Sequence, residues 1–294
     1  MTAIGARPDL RPVWLSFGAA ILWGLWWLPI RALEEAGLPG VWAGIAMNLA
    51  ALPLIACTLA LPPRPAAVSA NAFIGAIGIG LAITLYGTAV TETTVIRAVL
   101  LFYLAPAWSI LIECVFFGRR FRLINAAGLA MAALGVLLIF GGRIELSGWS
   151  LGDSMALASG AFWAAGAAMI FTSPEISARR LSLVTCTTAA LIGLLIGLTI
   201  APSTPEALTL HGASLALGSG AVYLAPIVLA TLWSARRLAP ALLSFILTAE
   251  IVSGVGSSAL LLDEPFGWAE ALGSTLIAGA ALIELLLPRT TQPA

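Results

Sequence analysis

The sequence predicts an all-α integral membrane protein with ten transmembrane helices in two inverted five-helix repeats. Three observations lead there. The 294 residues are 60% hydrophobic and only 10% charged, with a mean hydropathy of +1.03. A soluble domain carries about a quarter charged residues, so this chain cannot cover a water-facing surface and its solvent must be lipid. The arginines sort onto alternate connections between apolar segments. A segment–turn–segment pattern recurs about 145 residues later, which signals repeated architecture.

A membrane helix needs about 20 mostly apolar residues. The qualifying segments are 13–33, 41–61, 71–90, 94–117, 123–141, 151–172, 181–200, 211–233, 239–261 and 266–287. The breaks between them are physical. Leu61-Pro62-Pro63-Arg64-Pro65 cannot continue a helix, because proline lacks an N–H and clashes with the preceding turn. Gly141-Gly142-Arg143, Ser173-Pro174 and Pro202-Ser203-Thr204-Pro205 are turn sequences of the same kind.

An even number of helices puts both termini on one side. That side collects eleven arginines, including Arg7, Arg11, Arg64, Arg119, Arg120, Arg122, Arg179 and Arg237; the other holds Arg31, Arg97 and Arg143. Cytoplasmic loops are enriched in cationic residues, so both termini are expected in the cytoplasm, with the chain multi-pass in a bacterial cytoplasmic (inner) membrane. The opposite connections carry acids, among them Glu34, Glu35, Glu92, Asp263 and Glu264.

The repeat is read from two stretches. Leu100 to Gly128 is an apolar segment, a turn at Gly118 with Arg119 and Arg120, and a second apolar segment. The stretch from Leu242 does the same, with Asp263 and Gly273 spaced as Gly118 and Gly128 are. Ile21-Leu22-Trp23 likewise resembles Ala161-Phe162-Trp163. The half boundary gives a first repeat of 1–145 and a second of 146–294. Five is odd, so the second half enters the membrane upside down. Inverted repeats build secondary transporters, with the substrate site near the midplane between the halves.

With those residues in view, the chain resembles the drug/metabolite transporter superfamily and its EamA-type repeats. That pattern has a proline-bearing helix, a short acidic turn and a glycine about nine residues on. Pro106, the Gly118 turn and Gly128 match it in the first half; Glu264 and Gly273 match it in the second. The first turn carries Arg119 where the acid is expected, and the second half has Thr248-Ala249-Glu250 near the counterpart of Pro106. Within the superfamily the tryptophan-rich first helix, Tyr103-Leu104-Ala105-Pro106-Ala107-Trp108 and Trp163 are most similar to the bacterial aromatic amino-acid exporters. The resemblance implies export of aromatic or bulky apolar amino acids by alternating access. The alternative is the same fold carrying a drug, an organic cation or another small metabolite.

Depth selects the candidate substrate-binding residues. Tryptophan and tyrosine normally gather at the two membrane interfaces, which accounts for Trp14, Trp42, Trp149, Trp233 and Trp268. Trp23 and Trp163 fall mid-segment, where an indole N–H needs a partner. Each either lines a cavity or packs between helices. Trp26 and Trp27 lie on adjoining faces where lipid would meet them. Tyr103 and Pro106 share a face, and Pro106 frees the carbonyl of Phe102, giving either a cavity-shaping kink or a packing kink. Tyr223 and Pro226 repeat that arrangement. Trp108 joins the Tyr103 group, and Tyr86 is a gate or an interface anchor. Glu250 is the most central acid. A charge at that depth costs at least about 2.5–3.5 kcal/mol and faces a partner or cavity. It could bind a substrate ammonium, carry a coupling proton or pair structurally. Ser244 and Thr248 lie near it and are candidate cavity contacts.

The expected partners are a small-molecule substrate and the lipid bilayer. A net charge of zero gives no electrostatic footprint for nucleic acid, and no oligomer is required. Cys57, Cys114 and Cys186 each sit in an apolar run, where a thiol acts as a small apolar side chain, so neither disulfide nor metal is expected. No cofactor is expected. The single histidine, His211, and the lack of HExxH or nucleophile-elbow motifs argue against an enzyme.

Overall fold

The computed structural model describes residues 10–62, 69–116, 121–139, 148–173, 177–199, 205, 209–235, 237–238, 243, 246–262, 264 and 266–286. Among these, every regular element is a helix. The first predicted segment is two helices, α1 (Arg11–Gly24) and α2 (Trp27–Glu35), followed by α3 (Val41–Ala60) and α4 (Ala70–Glu92). The fourth is also two, α5 (Val95–Phe102) and α6 (Ala105–Phe116), followed by α7 (Leu123–Ile139), α8 (Leu151–Phe171) and α9 (Ala178–Thr199). The eighth runs as α10 (Leu210–Leu217), a π-helical stretch Gly218–Leu224 and α11 (Ala225–Ala235); α12 (Ala249–Leu261) and α13 (Trp268–Leu286) are the last of the described helices.

Seven of these paths are long and apolar enough to cross a membrane, from Arg11–Glu35 to Leu210–Ala235; Leu123–Leu138 and Ala249–Leu261 are shorter apolar helices. Their outward faces are greasy: Leu123, Leu195, Leu198, Val222, Val252 and Leu260 are all exposed. Such a coat suits a hydrocarbon solvent and is too large for a water-soluble monomer.

Starts and breaks follow the sequence. Ser69, Thr94 and Thr209 cap their helices by accepting from the N–H three residues on. Ser150 and Asp153 form a capping box on α8. The breaks fall before prolines. Pro106 cannot donate to Phe102, and the helix parts after Phe102. Pro29 cannot donate to Leu25, and α1 parts from α2 around Leu25 and Trp26. Pro226 is the second residue after the π-helical stretch.

Helices in lipid associate through close packing at small residues, since water does not drive them together. α4 lies against α8 and α9 through Gly75, Gly78 and Gly80. A Cβ on Gly75 would meet the Gly166 carbonyl at 2.7 Å, and one on Gly80 would meet the Thr185 carbonyl at 2.6 Å. The glycines of α4 therefore serve close approach. The Gly193-to-Gly197 motif of α9 does the same against Ile45 and Trp42 of α3.

At one end of the bundle, polar side chains tie together elements far apart in sequence. The Glu264 carboxylate accepts from the Val95 and Ile96 N–H groups at 2.8 and 2.9 Å. It covers the start of α5 with both charge and hydrogen bonds. Beside it, Thr93 donates to fully buried Asp153 at 2.8 Å, and Arg97 reaches Asp153 at 3.4 Å and the Gly148 carbonyl at 3.0 Å. Hydrogen bonds to a charged group contribute about 1.5–3 kcal/mol. Glu264→Ala should therefore speed hydrogen exchange at the Val95 and Ile96 amides about ten- to a hundredfold. Unchanged exchange at both amides would show that the clamp holds nothing closed.

Candidate functional site

Backbone groups in hydrocarbon need partners, and two tyrosines bond backbone carbonyls of distant helices near the breaks. Just past the end of α1 the Trp26 N–H donates to the Trp23 carbonyl at 3.1 Å, and the Leu25 N–H donates to Leu22 O at 3.1 Å. The Tyr223 hydroxyl donates to Leu22 O. The Tyr103 hydroxyl, next to the α5–α6 break, reaches Leu247 O just before the start of α12. The Phe102 carbonyl that Pro106 frees backs onto Gly160 of α8, where an added Cβ would sit 2.5 Å from the oxygen.

Between these breaks lies a cavity of about 160 Å³. An engineered cavity of about 150 Å³ accommodates benzene, so this space suits one ring. On α8 the lining begins at Trp163 and ends at Phe171; on α11 it begins at Thr231 and ends at Ala235. α8 starts beside the Asp153 cluster, so the cavity occupies the half of the bundle away from the Glu264 clamp.

Five aromatic side chains on this wall form a closed cycle. Trp163 meets Trp23 edge-on at 6.4 Å, Trp23 meets Trp26 at 5.2 Å, and Trp26 stacks on Tyr86 at 5.8 Å. Tyr86 contacts Phe102 at 5.1 Å, and Phe102 returns to Trp163 at 5.8 Å. Edge-to-face and offset pairs of this kind contribute about 0.5–1.5 kcal/mol each beyond area burial. Tyr103 joins from outside the cycle, edge-on to Phe102 at 5.4 Å. The polar ends are partly paired. The Trp23 indole donates to Thr231 Oγ1 at 3.0 Å, and Trp27 donates to Ser257 Oγ at 3.0 Å. The buried Trp26 indole N–H has no acceptor among the described residues.

Glu250 closes one side of the cavity in the first turn of α12, only 5% exposed. The Tyr103 hydroxyl lies 2.9 Å from its Oε2, and the Tyr86 side chain lines the cavity beside the carboxylate.

Of the residues expected from sequence, Trp163, Tyr103, Tyr86, Trp23 and Glu250 line this one cavity, as does Thr248. Tyr223 stands behind it, bonded to Leu22, and Trp108 is half-buried on α6; neither is on the cavity wall. Pro106 is the second residue of α6, while its side chain and the whole of Ser244 lie outside the described residues. The lining also includes Trp26, Phe102, Ser109 and Thr231, which sequence reasoning did not single out. Trp26 and Trp27 are buried, not lipid-facing. Pro29, three residues after Trp26, is the signal that the helix turns there.

Residues 10–141 match the sequence model of the EamA-like transporter family. No curated protein matches the chain. One of 26 matching solved chains, described only as "Crystal structure of protein", is 18% identical with a TM-score of 0.60. The match covers 94% of this chain and 99% of that one. At that identity the likeness is one of fold.

Thr231→Val keeps the shape of the cavity edge and strands the Trp23 N–H. A buried donor left without an acceptor costs about 1–3 kcal/mol, so the purified variant should melt at lower temperature with altered tryptophan fluorescence. A wild-type melting curve would mean that the Trp23–Thr231 bond contributes nothing.

Proposed function

We propose that the chain is a secondary transporter of the drug/metabolite superfamily, built from ten helices in two inverted repeats of 1–145 and 146–294. It moves a small aromatic solute across the cytoplasmic membrane by alternating access. The single observation that carries this reading is the closed aromatic cycle around a ring-sized cavity, with one carboxylate on its edge. The match of residues 10–141 to the EamA-like transporter family supports it. The breaks support the repeat: Tyr103 and Leu247 lie 144 residues apart at corresponding points, close to the offset between the two turns.

Aromatic and bulky apolar amino acids are the first substrate class, exported from the side on which the arginines put both termini. Trp163, Trp23, Tyr86 and Tyr103 hold the ring, and Glu250 meets the amino group. Pro106, Trp108 and Tyr223 shape the helix breaks, and Ser244 adds a hydroxyl. With that orientation the Glu264 clamp shuts the external side, and the cavity faces the cytoplasm. Alternating access then requires the clamp to open.

Glu250 favours a second reading, an organic cation or other cargo on the same fold. Purified protein in liposomes decides between the two. Labelled phenylalanine and tryptophan should exchange across the membrane, and Trp163→Ala should raise KM about three- to tenfold, the value of one lost aromatic contact. Flux of another metabolite with none of either amino acid would sink the substrate class and leave the fold standing.

A further inference from the structure

We propose that the cavity reads its cargo through the amine: an aryl-alkyl ammonium group seats on Glu250, and a substrate carboxylate is dispensable. This rests on the transport reading above and names the substrate chemistry of the same site.

Glu250 has the acceptor capacity for a ligand. An ionised carboxylate accepts at about four lone-pair sites, and two tyrosine hydroxyls, Tyr103 and Tyr86, approach this one. Tyr103 carries a single O–H yet lies within bonding distance of two acceptors, Glu250 Oε2 and Leu247 O. It can serve only one at a time. When an ammonium donates to Glu250, the Tyr103 O–H turns wholly to Leu247 and stays satisfied. The incoming group therefore strands no buried donor, and it supplies the positive partner that a carboxylate in an apolar interior requires. A carboxylate on the ligand brought to the same edge would meet Glu250 as a like charge.

The aromatic cycle favours the same cargo. Tyr103 leans edge-on against Phe102, which contacts both Tyr86 and Trp163. A cation at Glu250 is thus one side chain away from a group of π faces, which attract positive charge. A short alkyl linker carries the ring from the ammonium into the cycle. A single benzene ring fits the volume.

Thermal stabilisation of the purified full-length protein tests this with four probes: phenethylamine, phenylalanine, N-acetylphenethylamine and 3-phenylpropanoate. Phenethylamine should stabilise the protein at least as well as phenylalanine. N-acetylphenethylamine keeps the ring and loses the charge, and should bind about tenfold or more weakly, as should 3-phenylpropanoate. Glu250→Gln should weaken phenethylamine by a similar factor. Equal binding of N-acetylphenethylamine or 3-phenylpropanoate to wild-type protein would overturn the assignment, whether or not the variant folds. Flux of labelled phenylalanine in liposomes, measured alongside, separates the two ideas. Phenylalanine flux without phenethylamine binding sinks the amine reading alone, and amine binding without flux of any aromatic solute sinks the transport reading.

Discussion

A helix that breaks inside an apolar bundle must find donors and acceptors for the backbone it frees, because hydrocarbon offers none. The architecture around the cavity follows from that requirement. Pro29 and Pro106 interrupt their helices, and the interruptions open the space between α1, α4, α5 and α8. Tyr223 and Tyr103 then bond carbonyls on α1 and immediately before α12. Each bond joins the early part of the chain to the late part and so fastens distant helices to each other.

The aromatic cycle fills the space the breaks create. It draws one side chain from each of several elements: Trp23 from α1, Trp26 from the α1–α2 junction, Tyr86 from α4, Phe102 from α5 and Trp163 from α8. Dispersion and quadrupole contacts between rings are direction-dependent but individually small. No single contact therefore holds the cycle together. Trp23 is fixed by Thr231, while Trp26 is held by stacking and its indole N–H finds no acceptor among the described residues.

Helical class was legible in the sequence because it depends on composition and on the length of the apolar segments. Trp163, Trp23 and Glu250 stood out as residues that an interface or lipid could not explain, and all three line the cavity. What escaped was azimuth. Near α1 every residue is apolar, so periodicity does not distinguish a face toward lipid from a face toward protein, and Trp26 and Trp27 read as lipid-facing. Their true direction depends on the turn before Pro29, a local change in helix phase. Phe102 escaped for a related reason: it looks like one more apolar residue until Gly160 sets the distance of α8 from its carbonyl. Glu264 was legible as a turn acid, but its contact with the start of α5 spans 169 residues, beyond any local pattern.

That span bears on how the protein is made. At synthesis rates of about 5–20 residues per second, the amides of Val95 and Ile96 emerge roughly ten to thirty seconds before the carboxylate that will cover them. Until then Thr94 alone caps the start of α5, through the Arg97 N–H. The helices already made must therefore wait with this end unlatched. Only a chain translated past residue 264 can fasten it, so the latch also records that synthesis has passed that point.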